Sequence, residues 1–173
     1  MLDDVQADVA GADDWSAFRD VRLRALRDAP SAFGTTLAKA EANPEQVWRE
    51  RVRGPGPLLL ARASRMDPPV GMAGLFVPPE QEQCFVWGVW VAPEVRGRGL
   101  AETLTRRLLA LAPAERDVVL HVTEGNDVAR RLYERLGFET TGVVEPLREG
   151  SALVVHEMRR LRTSRPGVPA PAR

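Results

Sequence analysis

An apolar run, Val89-Trp90-Val91-Ala92, stops at Pro93 and gives way to Glu94-Val95-Arg96-Gly97-Arg98-Gly99. A long amphipathic stretch begins at Leu100. That order constrains the chain to a strand, a tight loop and a helix. The first turn of a helix leaves backbone N–H groups without intrahelical partners, and these groups favour an anion. Gly97 and Gly99 have no Cβ to keep that anion away from the backbone. The loop is therefore expected to handle a phosphate-bearing cofactor.

The rest of the chain sets limits on this reading. Its 173 residues suit one domain with a sizeable core. The 24 basic and 24 acidic side chains balance, so no net field draws the chain to nucleic acid or an anionic membrane. Cys84 is the only cysteine, which excludes an internal disulfide and fits a reducing compartment. Met1-Leu2-Asp3-Asp4 lacks the basic and apolar regions of a signal peptide. No apolar run is long enough to span a bilayer. A cytoplasmic location without nucleic-acid or membrane partners is expected.

Periodicity supplies the elements. Gln6 to Ala10 suits a short strand, and Asp13 to Asp28 a helix with Trp15, Phe18, Val21 and Ala25 about one turn apart. Pro30 and Gly34 mark Ala29 to Thr36 as a loop. Asn43-Pro44-Glu45-Gln46 has the form of a helix start, with Asn43 as cap and Gln46 reaching back, for a helix running to Arg53. Leu58 to Ala63, Val70 to Val77 and Cys84 to Val91 read as strands joined by proline-containing turns, hence antiparallel. Gly99 to Ala112 forms an amphipathic helix on Leu100, Leu104, Leu108 and Leu111. Val118 to Thr123 is a buried-looking strand. Asn126 caps a helix over Asp127 to Leu136, with Val128, Leu132 and Leu136 inward and Gly137 as its left-handed stop. Thr140 to Val144 and Ala152 to Met158 are the final strands. One domain over residues 4–162 and a disordered proline-rich tail over 163–173 are expected.

Three phosphate-binding loops compete for the glycines. A P-loop needs Gly-Lys-Ser or Gly-Lys-Thr, which the chain lacks. A dinucleotide fingerprint needs a third glycine where Glu102 stands, and Asp117 precedes its strand rather than ending it. The third is a pyrophosphate loop for coenzyme A. Arg96-Gly97-Arg98-Gly99-Leu100-Ala101 resembles the loop pattern of the GNAT superfamily of N-acetyltransferases, and Asn126, Tyr133, Gly137 and Phe138 resemble that family's second signature. The resemblance covers about residues 4 to 162 and is best from Val86 to Phe138.

The resemblance implies an α/β fold: a mixed, mostly antiparallel seven-stranded sheet, splayed in the middle and flanked by about four helices. It implies acetyl-CoA as co-substrate and no metal. Val89, Trp90 and Val91 would pair with pantetheine through backbone groups. Gly97, Arg98, Gly99, Leu100, Ala101 and Glu102 would offer N–H groups to the pyrophosphate, aided by about half a positive charge from the helix dipole. Arg96 and Arg98 would either screen the phosphates or stay solvated. Asn126 would touch the cofactor, cap its helix, or both.

Acetyl transfer to an amine needs a base for the amine, a donor for the carbonyl oxygen and an acid for the leaving thiolate. The family attacks directly, so Cys84 is read as a packed thiol. Tyr133 is the acid that the resemblance implies; otherwise it is a half-buried aromatic. A phenol near pKa 10 can protonate a thiolate near 8.5. The base stays open. His121 shares a strand face with Val119 and Thr123, and an imidazole titrating near 6.5 suits the task, but a satisfied core histidine fits equally. Glu41, His156, Glu157 or a water chain are alternatives. The acceptor, an amine of a small molecule or a protein, is expected near Ala29 to Thr36, Trp48, Trp87 and Trp90, though those aromatics also suit a core. A non-catalytic acyl-CoA sensor of the same fold is the main competing reading, and a homodimer is the commonest assembly.

Overall fold

The computed structural model describes residues 5–162. The expected tail over 163–173, and residue 4 at the domain's start, lie outside the described residues. Among them stand seven strands: β1 (Gln6–Val9), β2 (Leu58–Arg62), β3 (Gly71–Phe76), β4 (Gln83–Val91), β5 (Asp117–Thr123), β6 (Glu139–Pro146) and β7 (Val154–Arg160). The α-helices are α1 (Trp15–Asp28), α2 (Leu37–Glu41), α3 (Glu45–Val52), α4 (Leu100–Leu111) and α5 (Asp127–Arg135). Helix α2 is additional to the sequence reading. Thr36 Oγ1 accepts from the Lys39 N–H and starts it at the last residue of the expected loop.

The strands form one sheet in the order β1-β2-β3-β4-β5-β7-β6. Every neighbouring pair is antiparallel except β4 and β5, which run parallel. Their pairing is short. It joins Gln83 to Asp117, Cys84 to Val118 and Phe85 to Val119, and then ceases. Beyond it, Val86–Val91 and Leu120–Thr123 diverge, each still held by its other neighbour. The sheet is therefore split in its middle.

Cross-strand pairs share a face, so register fixes which side chains look which way. Phe76 pairs with Phe85, Gly74 with Trp87 and Met72 with Trp90. Trp87 and Trp90 thus share a face although three positions apart, because a bulge intervenes where Gly88 adopts φ +67°. This is the α1 face: Phe18 meets the Trp87 ring edge-on at 6.0 Å, and Trp90 Nε1 donates to Asp28 at 2.8 Å. Helix α4 covers the opposite face, where Leu104 lies 3.3 Å from the position a Gly71 Cβ would take. Arg160 donates to the Leu136 carbonyl just past the end of α5 at 3.1 Å; its pairing with Val118 puts that end on the α4 face too.

The core runs through Phe18, Trp48, Leu60, Met72, Leu104, Leu108 and Phe138, all buried. Trp48 packs edge-on against Phe18 at 5.7 Å, so it is core and does not line an acceptor site. Four local expectations are corrected. Leu111 and Val128 are exposed, while Leu132 and Leu136 are buried as expected, with Tyr133 buried beside them. Pro44, with ψ 161°, occupies the cap position of α3 in place of Asn43, and Gln46 donates to Glu50 rather than back to the cap.

Candidate active site

The loop between β4 and α4 leaves its donors free. The backbone N–H groups of Gly97 to Glu102 meet no protein acceptor among the described residues; the first bond of α4 runs from the Thr103 N–H to the Gly99 carbonyl. Gly97 and Gly99 have φ +77° and +78°, and a Cβ at either would meet nothing within 4 Å. These two positions require glycine's left-handed freedom, and both open outward. The arrangement is a cradle for an anion at a helix N-terminus.

The arginines of the loop differ. Arg96 is committed to the scaffold: its Nε donates to the Val91 carbonyl at 3.0 Å, and its Nη2 pairs with Asp28. Partial burial opposes the Asp28 charge, but hydrogen bonds from Trp90 and Arg96 hold its carboxyl below the ordinary value. Arg96 therefore fixes the loop to β4 and α1, whereas Arg98 is exposed. Glu102 is engaged by Arg106 at 2.8 Å and Arg135 at 3.6 Å. That pairing keeps its carboxylate from standing as an unscreened charge beside the cradle.

Across the split, Asn126 caps α5, its Oδ1 accepting from the Ala129 N–H at 3.2 Å. Gly137, φ +84°, ends the helix as expected. Tyr133 is buried and packs edge-on against Phe138 at 5.8 Å. Its hydroxyl finds no partner among the described residues, and burial pushes the phenol well above its usual value. The group holds its proton across the neutral range, as an acid must. Burial also pushes the Cys84 thiol up, and its S–H points to the Asp117 carbonyl at 3.6 Å; it is a packed thiol.

The base candidates separate cleanly. Pairing of Phe85 with Val119 places Val119, His121 and Thr123 on the α1 face, and Thr123 Oγ1 donates to the Ser31 carbonyl of the α1–α2 loop at 2.8 Å. His121 is exposed on that face, so it is not a core histidine. Its cross-strand partner is Glu157, which is held by Arg159 at 3.2 Å. His156 lies on the opposite face, 3.8 Å from Glu124. Glu41 is ion-paired with Arg27 at 3.4 Å on exposed α2. Structure thus brings His121 and Glu157 together at the split and takes Glu41 and His156 away.

The α1 face is closed above by two loops. Arg148, between β6 and β7, donates to the Pro30 and Phe33 carbonyls at 3.2 and 3.1 Å. Below, the Trp87 indole lies across Gly74, where a Cβ would come within 2.2 Å of the ring. Arg22 and Arg51, not singled out from the sequence, line a cavity beside Trp87. The signal for Arg22 was present: a charged residue four positions after Phe18, on the inward stripe of α1.

Comparison with known proteins places this architecture. The model of the acetyltransferase (GNAT) family matches residues 22–138, and the chain belongs to that family. Among curated proteins, it is 36% identical over 77 residues to an L-2,4-diaminobutyric acid acetyltransferase of Marinococcus halophilus, a match covering 43% of this chain and 45% of that relative. The chain thus spans less than half the length of that relative. Among solved structures, a GNAT-family acetyltransferase from Streptococcus pneumoniae superposes with TM-score 0.74 at 17% identity, covering 90% of this chain and 98% of that one. Spermidine N-acetyltransferase from Vibrio cholerae, in complex with CoA and spermine, gives TM-score 0.66 at 20% identity over 92% and 96%. At these identities the structural matches speak to the fold alone.

Proposed function

We propose that the chain transfers an acetyl group from acetyl-CoA to a primary amine by direct attack. The observation that carries this reading is the run of unpartnered N–H groups from Gly97 to Glu102, set beside the point where β4 and β5 part. Pyrophosphate would sit in the cradle. Pantetheine would run along the free edge of Val89 to Val91 and deliver the thioester to the split. Curated relatives named for diaminobutyric acid favour a small-molecule amine over a protein.

In this reading His121, directly or through one water, takes a proton from the ammonium. The freed amine nitrogen attacks the thioester carbonyl carbon. The C–N bond forms, the C–S bond breaks, the thiolate takes the phenolic proton of Tyr133, and the surplus proton on the new amide nitrogen returns through water to the phenolate.

Thiol release from acetyl-CoA in the presence of a primary-amine panel tests the proposal. Release that depends on amine is expected; binding without release across the panel would instead favour an acyl-CoA sensor. His121→Ala is expected to lower kcat by about 10- to 100-fold with little change in the acetyl-CoA KM. That is at or below the low end of general-base effects, because an exposed position lets water stand in. Stability should move by no more than about 0.5 kcal/mol, as for an exposed site. An unchanged kcat would turn attention to Glu157, its neighbour across the strand.

A further inference from the structure

Two buried arginines contrast sharply. Arg62 is paired with Asp14 at 2.6 Å. Arg22 is 8% exposed, and its Nε and Nη1 are sealed from solvent with no hydrogen-bond partner. No carboxylate lies within ion-pair distance of it among the described residues. Its guanidinium rests 4.5 Å from the centroid of the Phe33 ring, which softens the burial of charge but does not neutralise it. Burial, followed by the charge of Arg51, pushes its pKa down to about 10. A buried cation left this way is costly to the fold, and two loops and a helix are organised around it.

Arg22 lines a cavity of about 490 Å³ with Arg51, Gly56, Phe76, Phe85 and Trp87. That volume is ordinary for a small-molecule site. Its walls are aromatic, its charges are both positive, and no acidic residue lines it. It lies on the α1 face, where Arg22 Nη1 stands 3.5 Å from the position a Gly88 Cβ would take at the β4 bulge. This is the face that also carries His121 and Glu157.

We propose that this cavity is the acceptor subsite, and that Arg22 and Arg51 hold a carboxylate there, so that the preferred acceptors are amines that also bear a carboxylate. The inference rests on the acetyl-transfer reading for its chemistry. Guanidinium recognises carboxylate with fixed geometry, and a second ammonium at the same end of the acceptor would be repelled.

The test uses amines in matched sets that differ only at the far end: 4-aminobutyrate, its carboxamide and putrescine, with several amino acids and their amides. The acids are expected to exceed the amides in kcat/KM by about 10- to 100-fold, the range of a charge-assisted hydrogen bond, with diamines poorest. Arg51→Met, at an exposed position, and Arg22→Met should each shrink that ratio towards one. Replacing the unpaired buried charge by an apolar chain is compatible with folding, and a retained acetyl-CoA melting shift confirms it. Equal use of acids and amides, a preference for diamines, or a ratio untouched by both variants would overturn the proposal. If no amine supports thiol release, the acetyl-transfer reading fails by itself. Calorimetry of the same acids with the CoA-loaded protein then decides the subsite: binding lost in Arg22→Met upholds it, and no binding of any acid overturns it.

Discussion

Gly99→Asp is expected to weaken acetyl-CoA binding by at least about 100-fold, or roughly 2.7 kcal/mol. Two effects combine. Gly99 has φ +78°, a region that costs a non-glycine residue about 1–2 kcal/mol, less for aspartate. The larger effect is electrostatic. The new carboxylate would stand in the cradle formed by the N–H groups of Gly97 to Glu102. At about 4 Å and an effective dielectric constant near 20, its repulsion of a phosphate charge is about 4 kcal/mol before screening by salt. Nothing lies within 4 Å of a Cβ at this position, so the free protein should fold, its melting temperature lowered only by that backbone strain. Calorimetric titration is the check, with melting curves beside it. At 100 times its dissociation constant, acetyl-CoA should stabilise the parent by about 2.7 kcal/mol, while ATP and NAD should not. An affinity unchanged in Gly99→Asp would remove the loop from the binding site.

Tyr133→Phe is expected to keep cofactor affinity and lose turnover by about 10- to 1,000-fold. The hydroxyl is a small part of a buried ring packed on Phe138. It makes no hydrogen bond to the described residues, so its removal leaves no protein donor or acceptor stranded. The fold should therefore tolerate phenylalanine. Chemistry should not, because departing thiolate would lose the proton that burial keeps on the phenol well into the alkaline range. The sign follows from the direction of that shift. Raised above its ordinary value, the phenol stays protonated through neutrality and beyond, so loss of activity on its own ionisation should not appear near neutrality. Single-turnover measurement separates chemistry from product release. Full activity with chemistry limiting would exclude Tyr133 from the mechanism.

The glycines of the loop, the helix behind them and the Asn126 to Phe138 segment were legible because each is local. A positive-φ glycine, a cap and a 3.6-residue stripe leave their marks within a few positions. The antiparallel succession of β2, β3 and β4 was legible for the same reason, through proline-containing turns, whereas the insertion of β7 between β5 and β6 was not. What escaped depended on partners distant in the chain. The bulge at Gly88 reverses the facing of Trp90 relative to Trp87, and only the pairing with β3 reveals it. Arg96 matches the phosphate pattern, yet its head group is taken by Asp28 at the end of α1. Val128 fits the helical stripe of α5 but is exposed, because Tyr133 and Leu132 set the inward face. Helix α2 is too short for periodicity to show. Arg22 was the costliest omission: a charge on an apolar stripe has meaning only once the cavity beside it is known.

The most direct test of the account is a crystal structure of the protein with CoA bound. The account places the pyrophosphate on the N–H groups of Gly97 to Glu102, the pantetheine arm along Val89 to Val91, and the sulfur within hydrogen-bonding reach of the Tyr133 hydroxyl. A CoA molecule seated elsewhere, or one whose sulfur lies away from the gap between β4 and β5, would contradict it.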